Sequence, residues 1–377
     1  MKILLLVRDL RPGGVPSLVG PLAREFTKAG HEVTIYNQGL PSEIAEGVMQ
    51  GVRIVSGGRA DKGGYRGHLE AFRRWKKFVH EYDPDVLQSH VGLPDIYASV
   101  TKVDHKTVKV RAALAPQLFP HQPYFGWFFE RLITPWAFDH HVAVSQGVRK
   151  SLISTGIPKD KIRVIFNPIS ERILGAMIKA PEVSNAYKQL EKAEELRIGY
   201  LGRLSREKGP DRLIRWFKEL ITVHGLKAKL FLAGSGIMEA ELEQLAIDLN
   251  IADNVVFLGY VPNPSEILPQ FHLVVSPSRY EGLPIALLEA AAMGCSIAAT
   301  ETDGAMELKG LANELLMLPN RDHQDRESLS KLASWVSSNP IAKNKKPNLT
   351  PVAIEKIKAQ SIAREYLKLY EELLQNK

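Results

Sequence analysis

Two carboxylates eight residues apart, Glu281 and Glu289, bracket a Gly282-Leu283-Pro284 turn and the start of the apolar run IALLEAAAM. The stretch LVVSPS before them reads as a strand, and the spacing predicts a helix from about Pro284 to Met293. Pro284 suits the first helical position, and Gly294 suits the left-handed position that ends a helix. The first amides of such a helix lack intrahelical partners, so with those of Gly282 and Leu283 they form a site for phosphate. Glu289 lies about 7.5 Å along the axis at ~1.5 Å per residue, and helical side chains lean back toward the N-terminus. Its carboxylate can therefore reach a group carried by that phosphate. Burying it among apolar neighbours without hydroxyls or a basic partner is costly. From these residues alone, a solvated or structurally paired Glu289 and a loop-surface Glu281 remain open alternatives.

A second anion site is suggested by GRLSREKGP, after the strand-like LRIGYL. Arg203 leaves the strand end and Lys208 follows five residues later, ahead of a helix beginning near Pro210 or Asp211. A forked guanidinium and an ammonium together suit a diphosphate. Gly234 opens a short GSG after another strand. In the first half, RDLRPGGVPSL places Gly13 and Gly14 before a helix, where backbone can approach a ligand closely. Neither GxGxxG nor GxxxxGK[ST] occurs, so nicotinamide-type and P-loop fingerprints are absent. His90 follows the strand DVLQ, at a carboxyl end where ligands of parallel sheets collect.

Parallel α/β units must position these groups, since short apolar runs alternate with helical patterns throughout. Strand candidates in the first half are Lys2–Val7, Val33–Tyr36, Val52–Val55, Asp85–Gln88, Val108–Ala112, His141–Val144 and Arg163–Phe166. The rhythm breaks over Ile173–Glu195, read as an interdomain connection. It restarts with LRIGYLGRL, AKLFLAGSG, NVVFLGYV, HLVVSPS and CSIAATE. The fold class is α/β, two doubly wound Rossmann-like domains facing across a cleft. Residues 1–170 form the first domain, residues 171–350 the second, and residues 351–377 hold a C-terminal helix, about Val352–Leu374, able to pack back on the first.

The length of 377 residues suits two cores. MKILLLV reads as a buried first strand rather than a secretory signal, and no stretch approaches a spanning helix. A single cysteine, Cys295, permits neither an internal disulfide nor a thiolate metal cluster, and fits a reducing cytosol. The net charge of +7 is uneven. Residues 1–170 carry 23 Lys+Arg against 15 Asp+Glu, and residues 171–377 carry 26 against 27, which points to a polyanionic partner for the first half.

Taken in order, GG at 13–14, DPDVLQSH, HHVAVSQGVRKSLISTGIPKDKIRVIFNPIS, GRLSREKG and EGLPIALLEAAAMGCSIAAT resemble the retaining, nucleotide-sugar-dependent glycosyltransferases of family 4, which have the GT-B fold. The similarity covers nearly the whole chain and includes the family's E-x7-E pattern as Glu281 and Glu289. It departs at NPIS (Asn167–Ser170), where Asn-Gly is more usual. The resemblance implies that Arg203 and Lys208 hold the donor diphosphate and that Gly282, Leu283 and Pro284 lie at it. Glu281 would bind hydroxyls of the transferred sugar and Glu289 the ribose, with Tyr260 and Val261 beside the base and Gly234 nearby. Gly13, Gly14 and His90 would contribute from the acceptor side. The implied activity is transfer of a hexose from a nucleoside diphosphate sugar, UDP-sugar favoured, to a lipid-linked glycan or polysaccharide precursor. Neither metal nor cofactor is expected, because the cations and the helix dipole stabilise the leaving group. An epimerase, a sugar phosphorylase and a non-catalytic sugar-nucleotide-binding partner are the alternative readings on the same scaffold.

A helix predicted from Tyr65 to Tyr82 gathers Arg73, Arg74, Lys76 and Lys77 around Trp75, a composition suited to an anionic membrane surface. Family 4 members that associate with membranes carry a comparable helix there. The aromatic-rich FPHQPYFGWFFERLITPWAF reads equally as core or as a lipid-acceptor surface. No recognition motif accompanies the basic patch, so nucleic acid is not an expected partner. The expected location is the cytoplasm, peripheral on the inner face of the cell membrane.

Overall fold

The computed structural model describes all residues except 12–13, 41–50, 59–63, 116–122, 180–183, 185–186, 188–189, 191–194, 322–324 and 339–345. The chain divides into two units: Met1–Pro168 together with Lys356–Lys377, and Ile169–Glu355. Each is built on its own parallel sheet. No described helix is long and apolar enough to cross a membrane.

The first unit holds β1 (Lys2–Val7), β2 (Glu32–Asn37), β3 (Arg53–Ser56), β4 (Val86–His90), β5 (Val108–Ala113), β6 (His140–Ala143) and β7 (Ile162–Val164). Its helices are α1 (Gly14–Lys28), α2 (Gly64–Tyr82), α3 (Leu93–Val100), α4 (Pro123–Leu132), α5 (Thr134–Ala137) and α6 (Gln146–Ser154). The strand order is β3-β2-β1-β4-β5-β6-β7, every pair parallel. Apolar runs such as KILLLV form central strands because both faces of a parallel sheet are covered, and Ile3 to Val7 are buried accordingly. The seven strands fall within two residues of the predicted positions.

The second unit holds α7 (Glu171–Ile178), β8 (Leu196–Leu201), α8 (Pro210–Thr222), β9 (Ala228–Ala233), α9 (Glu239–Asp248), β10 (Val255–Gly259), β11 (Leu273–Ser276), α10 (Ile285–Ala292), β12 (Ser296–Thr300), β13 (Leu315–Leu318), α11 (Asp325–Ser338) and α12 (Pro351–Lys356). Its order is β10-β9-β8-β11-β12-β13, again parallel. The order reverses between β8 and β11, and such a switch point leaves a crevice at the strands' carboxyl ends. A further helix, α13 (Ala359–Gln375), lies in the first unit against α1, where Tyr366 and Tyr370 meet the Phe26 ring edge-on at 6.3 and 5.9 Å.

Several expectations need correction. The segment taken as a connection from Ile173 begins inside α7, started by Ser170, whose hydroxyl accepts from the Arg172 amide at 3.2 Å. The edge strand β13 was not expected, because its half-exposed LLML carries no alternation and follows a polar loop. The single C-terminal helix is two, parted at Ile357 and Lys358. Lys358 is extended, with φ −67° and ψ 141°.

Trp75 is also reassigned. On α2 its side chain is fully buried and its indole N–H donates to Thr101 Oγ1 at 2.7 Å, within a cluster that includes Tyr36, Phe78 and Tyr97. An amphipathic helix turns one stripe inward, and Trp75 belongs to that stripe, so it is not available to a membrane. Arg73, Lys76 and Lys77 are exposed; Arg74 donates from Nε to the Gly57 carbonyl at 2.8 Å.

Candidate active site

The loops that leave β8 and β11, on either side of the switch point, carry the two charges that sequence reasoning treated separately. After β8 the chain turns through Arg203, makes a short helical turn at Arg206–Lys208 and enters α8. Lys208 Nζ lies 2.5 Å from Glu281 Oε2, on the loop after β11. The Ser278 hydroxyl donates to the same oxygen at 3.3 Å. The pair is partly covered, the Lys208 side chain 28% exposed and that of Glu281 12%. Arg203 stands apart at 70% exposure, 3.6 Å from Glu207, with its guanidinium open to an arriving anion.

Backbone packing fixes these loops. A Cβ on Gly304, after β12, would sit 2.3 Å from the Gly282 carbonyl oxygen and 2.6 Å from that of Glu281. Gly234, at φ +143°, would place one 1.8 Å from the Gly202 oxygen. No side chain fits at either point. Arg279 adds a clamp: its amide donates to the Glu207 carbonyl at 2.8 Å, and its guanidinium grips both oxygens of Asp211 at 2.9 and 2.8 Å and the Arg206 carbonyl at 2.8 Å. Burial pushes the Asp211 carboxyl up, but the Arg279 contact and the backbone hydrogen bonds together outweigh it and hold it below the usual range. Beneath the clamp, Arg212 binds Asp325 at 2.8 Å, Asn320 at 3.0 Å and the Pro277 carbonyl at 3.4 Å.

Helix α10 begins one residue later than predicted, with Pro284 at its cap (φ −80°, ψ 79°), because the Ile285 amide turns back to the Leu283 carbonyl at 3.0 Å. Gly294 takes the expected left-handed conformation, φ +82°. The Gly282 and Leu283 amides donate to nothing among the described residues. On α10, Glu289 is buried and accepts the Ser170 amide at 3.3 Å. Burial pushes its carboxyl up to about 7, an effect the single amide only partly offsets.

Two family models divide the chain between them: glycosyltransferase family 4 over residues 12–172 and glycosyl transferases group 1 over residues 184–348. The chain belongs to glycosyltransferase family 4. It is similar to an uncharacterized glycosyltransferase of Methanocaldococcus jannaschii, 30% identical over 61% of this chain and 59% of that protein. It is also similar to the lipopolysaccharide 1,6-galactosyltransferase of Escherichia coli, 27% identical over 60% of this chain and 58% of that protein. The matches thus span less than two thirds of these curated relatives. Among solved structures, Anabaena HepE in complex with UDP-glucose superposes with a TM-score of 0.74 at 19% identity, covering 100% of this chain and 99% of that one. The fold is therefore GT-B.

In this family 4 chain the remaining predicted residues are distributed as follows. Tyr260 is 50% exposed and Val261 is buried, both just after β10. In the first unit His90 does end β4, yet it is buried, with Nε2 3.0 Å from Gln88 Nε2 and Nδ1 without a partner among the described residues. Burial holds its pKa down at about 3, so the ring is neutral. Gly14 opens α1, whereas Gly13 lies outside the described residues. Sequence reasoning missed Arg279, Asp211 and Arg212, which position the loops. The arginine two residues before Glu281 was the available signal.

Glu289 yields a stability prediction. Its folded pKa, about 7, exceeds the ordinary 4.5, so the folded state favours the protonated carboxyl, and that advantage fades as pH rises through about 7. Glu289→Gln removes the titration. Its unfolding free energy relative to wild type should rise by roughly 2–3 kcal/mol between about pH 5 and pH 8 in urea titrations. A difference independent of pH would show that the carboxyl is solvated.

Proposed function

We propose that this chain is a retaining glycosyltransferase that moves a hexose from a UDP-sugar to a hydroxyl of a lipid-linked glycan or polysaccharide precursor, without a divalent metal. The observation that carries the reading is the meeting of Lys208 and Glu281 at the switch point, beside the open Gly282 and Leu283 amides. A diphosphate arriving there competes with Glu281 for Lys208. As Lys208 turns to the phosphates, the Glu281 carboxylate is released to accept hydrogen bonds from sugar hydroxyls. The UDP-glucose bound to HepE and the lipopolysaccharide substrate named for the Escherichia coli relative support the donor and acceptor classes.

In the reaction the bond between the anomeric carbon and the diphosphate oxygen breaks, and its electron pair leaves with the diphosphate. Positive charge grows on the sugar ring and negative charge on the leaving group. Arg203, Lys208, the two amides and the positive end of α10 meet that negative charge, which is the task a metal would otherwise perform. The acceptor hydroxyl bonds to the anomeric carbon on the face the diphosphate leaves, and its proton passes to a departing phosphate oxygen. Glu289, ionised, accepts from the ribose diol.

An anionic membrane is the proposed docking surface, through Arg73, Lys76 and Lys77, exposed along α2. Each basic residue near such a surface contributes on the order of 1 kcal/mol. The proposed location is the inner face of the cell membrane.

Two measurements test these readings. In a UDP-release assay, Lys208→Ala should lower kcat roughly 100- to 1,000-fold, as loss of a preorganised charge does, with the circular dichroism spectrum unchanged. Addition of EDTA should leave the wild-type rate unaltered. Near-normal turnover of the variant, or abolition by EDTA, would contradict the leaving-group assignment. Combined Arg73→Glu, Lys76→Glu and Lys77→Glu should abolish sedimentation with phosphatidylglycerol vesicles, whereas retained sedimentation would exclude α2 as the docking element.

A further inference from the structure

The core of the first unit holds a chain of polar groups that runs from α13 to the carboxyl end of β4. Tyr370, on α13, is fully buried, and its hydroxyl donates to Gln88 Oε1. Gln88 Nε2 in turn lies 3.0 Å from His90 Nε2. Gln88 and His90 are two residues apart on β4, so their side chains share one face. Ser89 between them turns to the other face and donates to Asp95 on α3 at 2.6 Å. In the register of the sheet Gln88 stands between Leu5 of β1 and Val110 of β5, both buried. A carboxamide in such apolar company is costly unless both its ends are bonded, and here they are.

The direction of the chain follows from its far end. Tyr370 meets the rings of Phe26 and Tyr366 at 5.9 and 6.0 Å, and among the described residues Gln88 is the hydrogen-bond partner of its hydroxyl. A hydroxyl with one partner spends its proton only by donating, and accepting instead would strand that proton among aromatic rings. With Oε1 taken by Tyr370, the amide presents Nε2–H to the histidine, so His90 Nε2 accepts. Burial holds the ring's pKa down at about 3, which leaves it a single proton, and that proton then sits on Nδ1. Nδ1 has no partner among the described residues. The chain thus leaves a donor unspent at the strand's carboxyl end, where β1 and β4 form the switch point of this sheet. The backbone there is strained as well. Val91, the next residue, has φ +51°, a left-handed conformation that β-branched residues rarely adopt, and such strain collects at functional sites.

We propose that Tyr370 and Gln88 are positioning residues for glycosyl transfer: they fix His90 as the Nδ1–H tautomer, so that it gives a hydrogen bond to a substrate oxygen and takes no proton. A histidine free to choose its tautomer can serve as acceptor or base in the same place, and the bond to its other nitrogen is what decides. The proposal rests on the glycosyl-transfer reading for its catalytic consequence, whereas the tautomer follows from the hydrogen bonds alone. It agrees with transfer of the acceptor's proton to a phosphate oxygen, since neither nitrogen of His90 is open to receive one.

Nitrogen-15 NMR of the full chain labelled at histidine, with the His90 signals assigned by their loss in His90→Gln, reads the tautomer directly. In the wild type Nδ1 should give the protonated, pyrrole-type shift and Nε2 the unprotonated, pyridine-type shift. Tyr370→Phe removes the donor that orients the amide, so the Nε2–H form should become populated. Its kcat for UDP release from whichever of UDP-glucose and UDP-galactose the wild type turns over faster should fall roughly tenfold, as loss of one well-placed hydrogen bond does. Gln88→Glu offers His90 only acceptor oxygens, so Nε2 should become protonated and kcat should fall at least as far. Tyr370→Phe keeps the shape of the core, so it is informative even where Gln88→Glu fails to fold. An Nε2–H tautomer in the wild type would overturn the proposal. So would a Tyr370→Phe variant that loses only thermal stability, with tautomer and kcat unaltered. The expected tautomer in a wild-type chain that turns over neither UDP-sugar would instead contradict the glycosyl-transfer reading and leave the tautomer assignment intact.

Discussion

The ion pair between Lys208 and Glu281 is the interaction on which the chemistry proposed for the second unit depends. Each charge satisfies the other, so neither is left partly desolvated and alone, the situation that makes removal of one partner of a covered pair costly. The proposed reaction exchanges the same pair. A diphosphate offers Lys208 more negative charge than one carboxylate does, and a sugar offers Glu281 the hydroxyl donors it then needs. In the proposed reaction this one contact between the loops is replaced by two contacts to the donor.

That contact requires two loops from different strands to agree within a few tenths of an ångström. Side-chain choice alone does not secure this. The loops are pinned by backbone approaches that only glycine permits, at Gly304 against Glu281 and Gly282 and at Gly234 against Gly202, and by the Arg279 guanidinium spanning Asp211 and the Arg206 carbonyl. Rigid support of this kind lets electrostatic groups act without reorganising during the reaction. Glu289 illustrates the opposite condition. With one amide for company its carboxyl is raised toward neutrality, which fits a group that awaits a partner.

Much of this was legible in the sequence because it is local. Continuous apolar runs located twelve of the thirteen strands among the described residues, and Gly294 ended α10 where its left-handed preference predicts. Arg203, Lys208 and Glu281 lie on loops after strands, where the sequence reading put them, and Glu289 lies on the helix that follows. What escaped notice depends on tertiary context. The pairing of Lys208 with Glu281 spans 73 residues. The roles of Arg279 and Arg212 are set by partners on other loops, and β13 is an edge strand whose burial is incomplete. Trp75 was misread because basic neighbours surround it in sequence, whereas on the helix they point outward while it points in. His90 was placed correctly at a strand end, but its burial could not be read from one residue type.

A crystal structure of the chain soaked with UDP is the most direct measurement of the central claim. The account predicts that the diphosphate lies against Arg203, Lys208 and the Gly282 and Leu283 amides, that Lys208 has left Glu281, and that the ribose hydroxyls meet Glu289. A diphosphate bound elsewhere in the second unit, with the Lys208–Glu281 pair still closed, would contradict it.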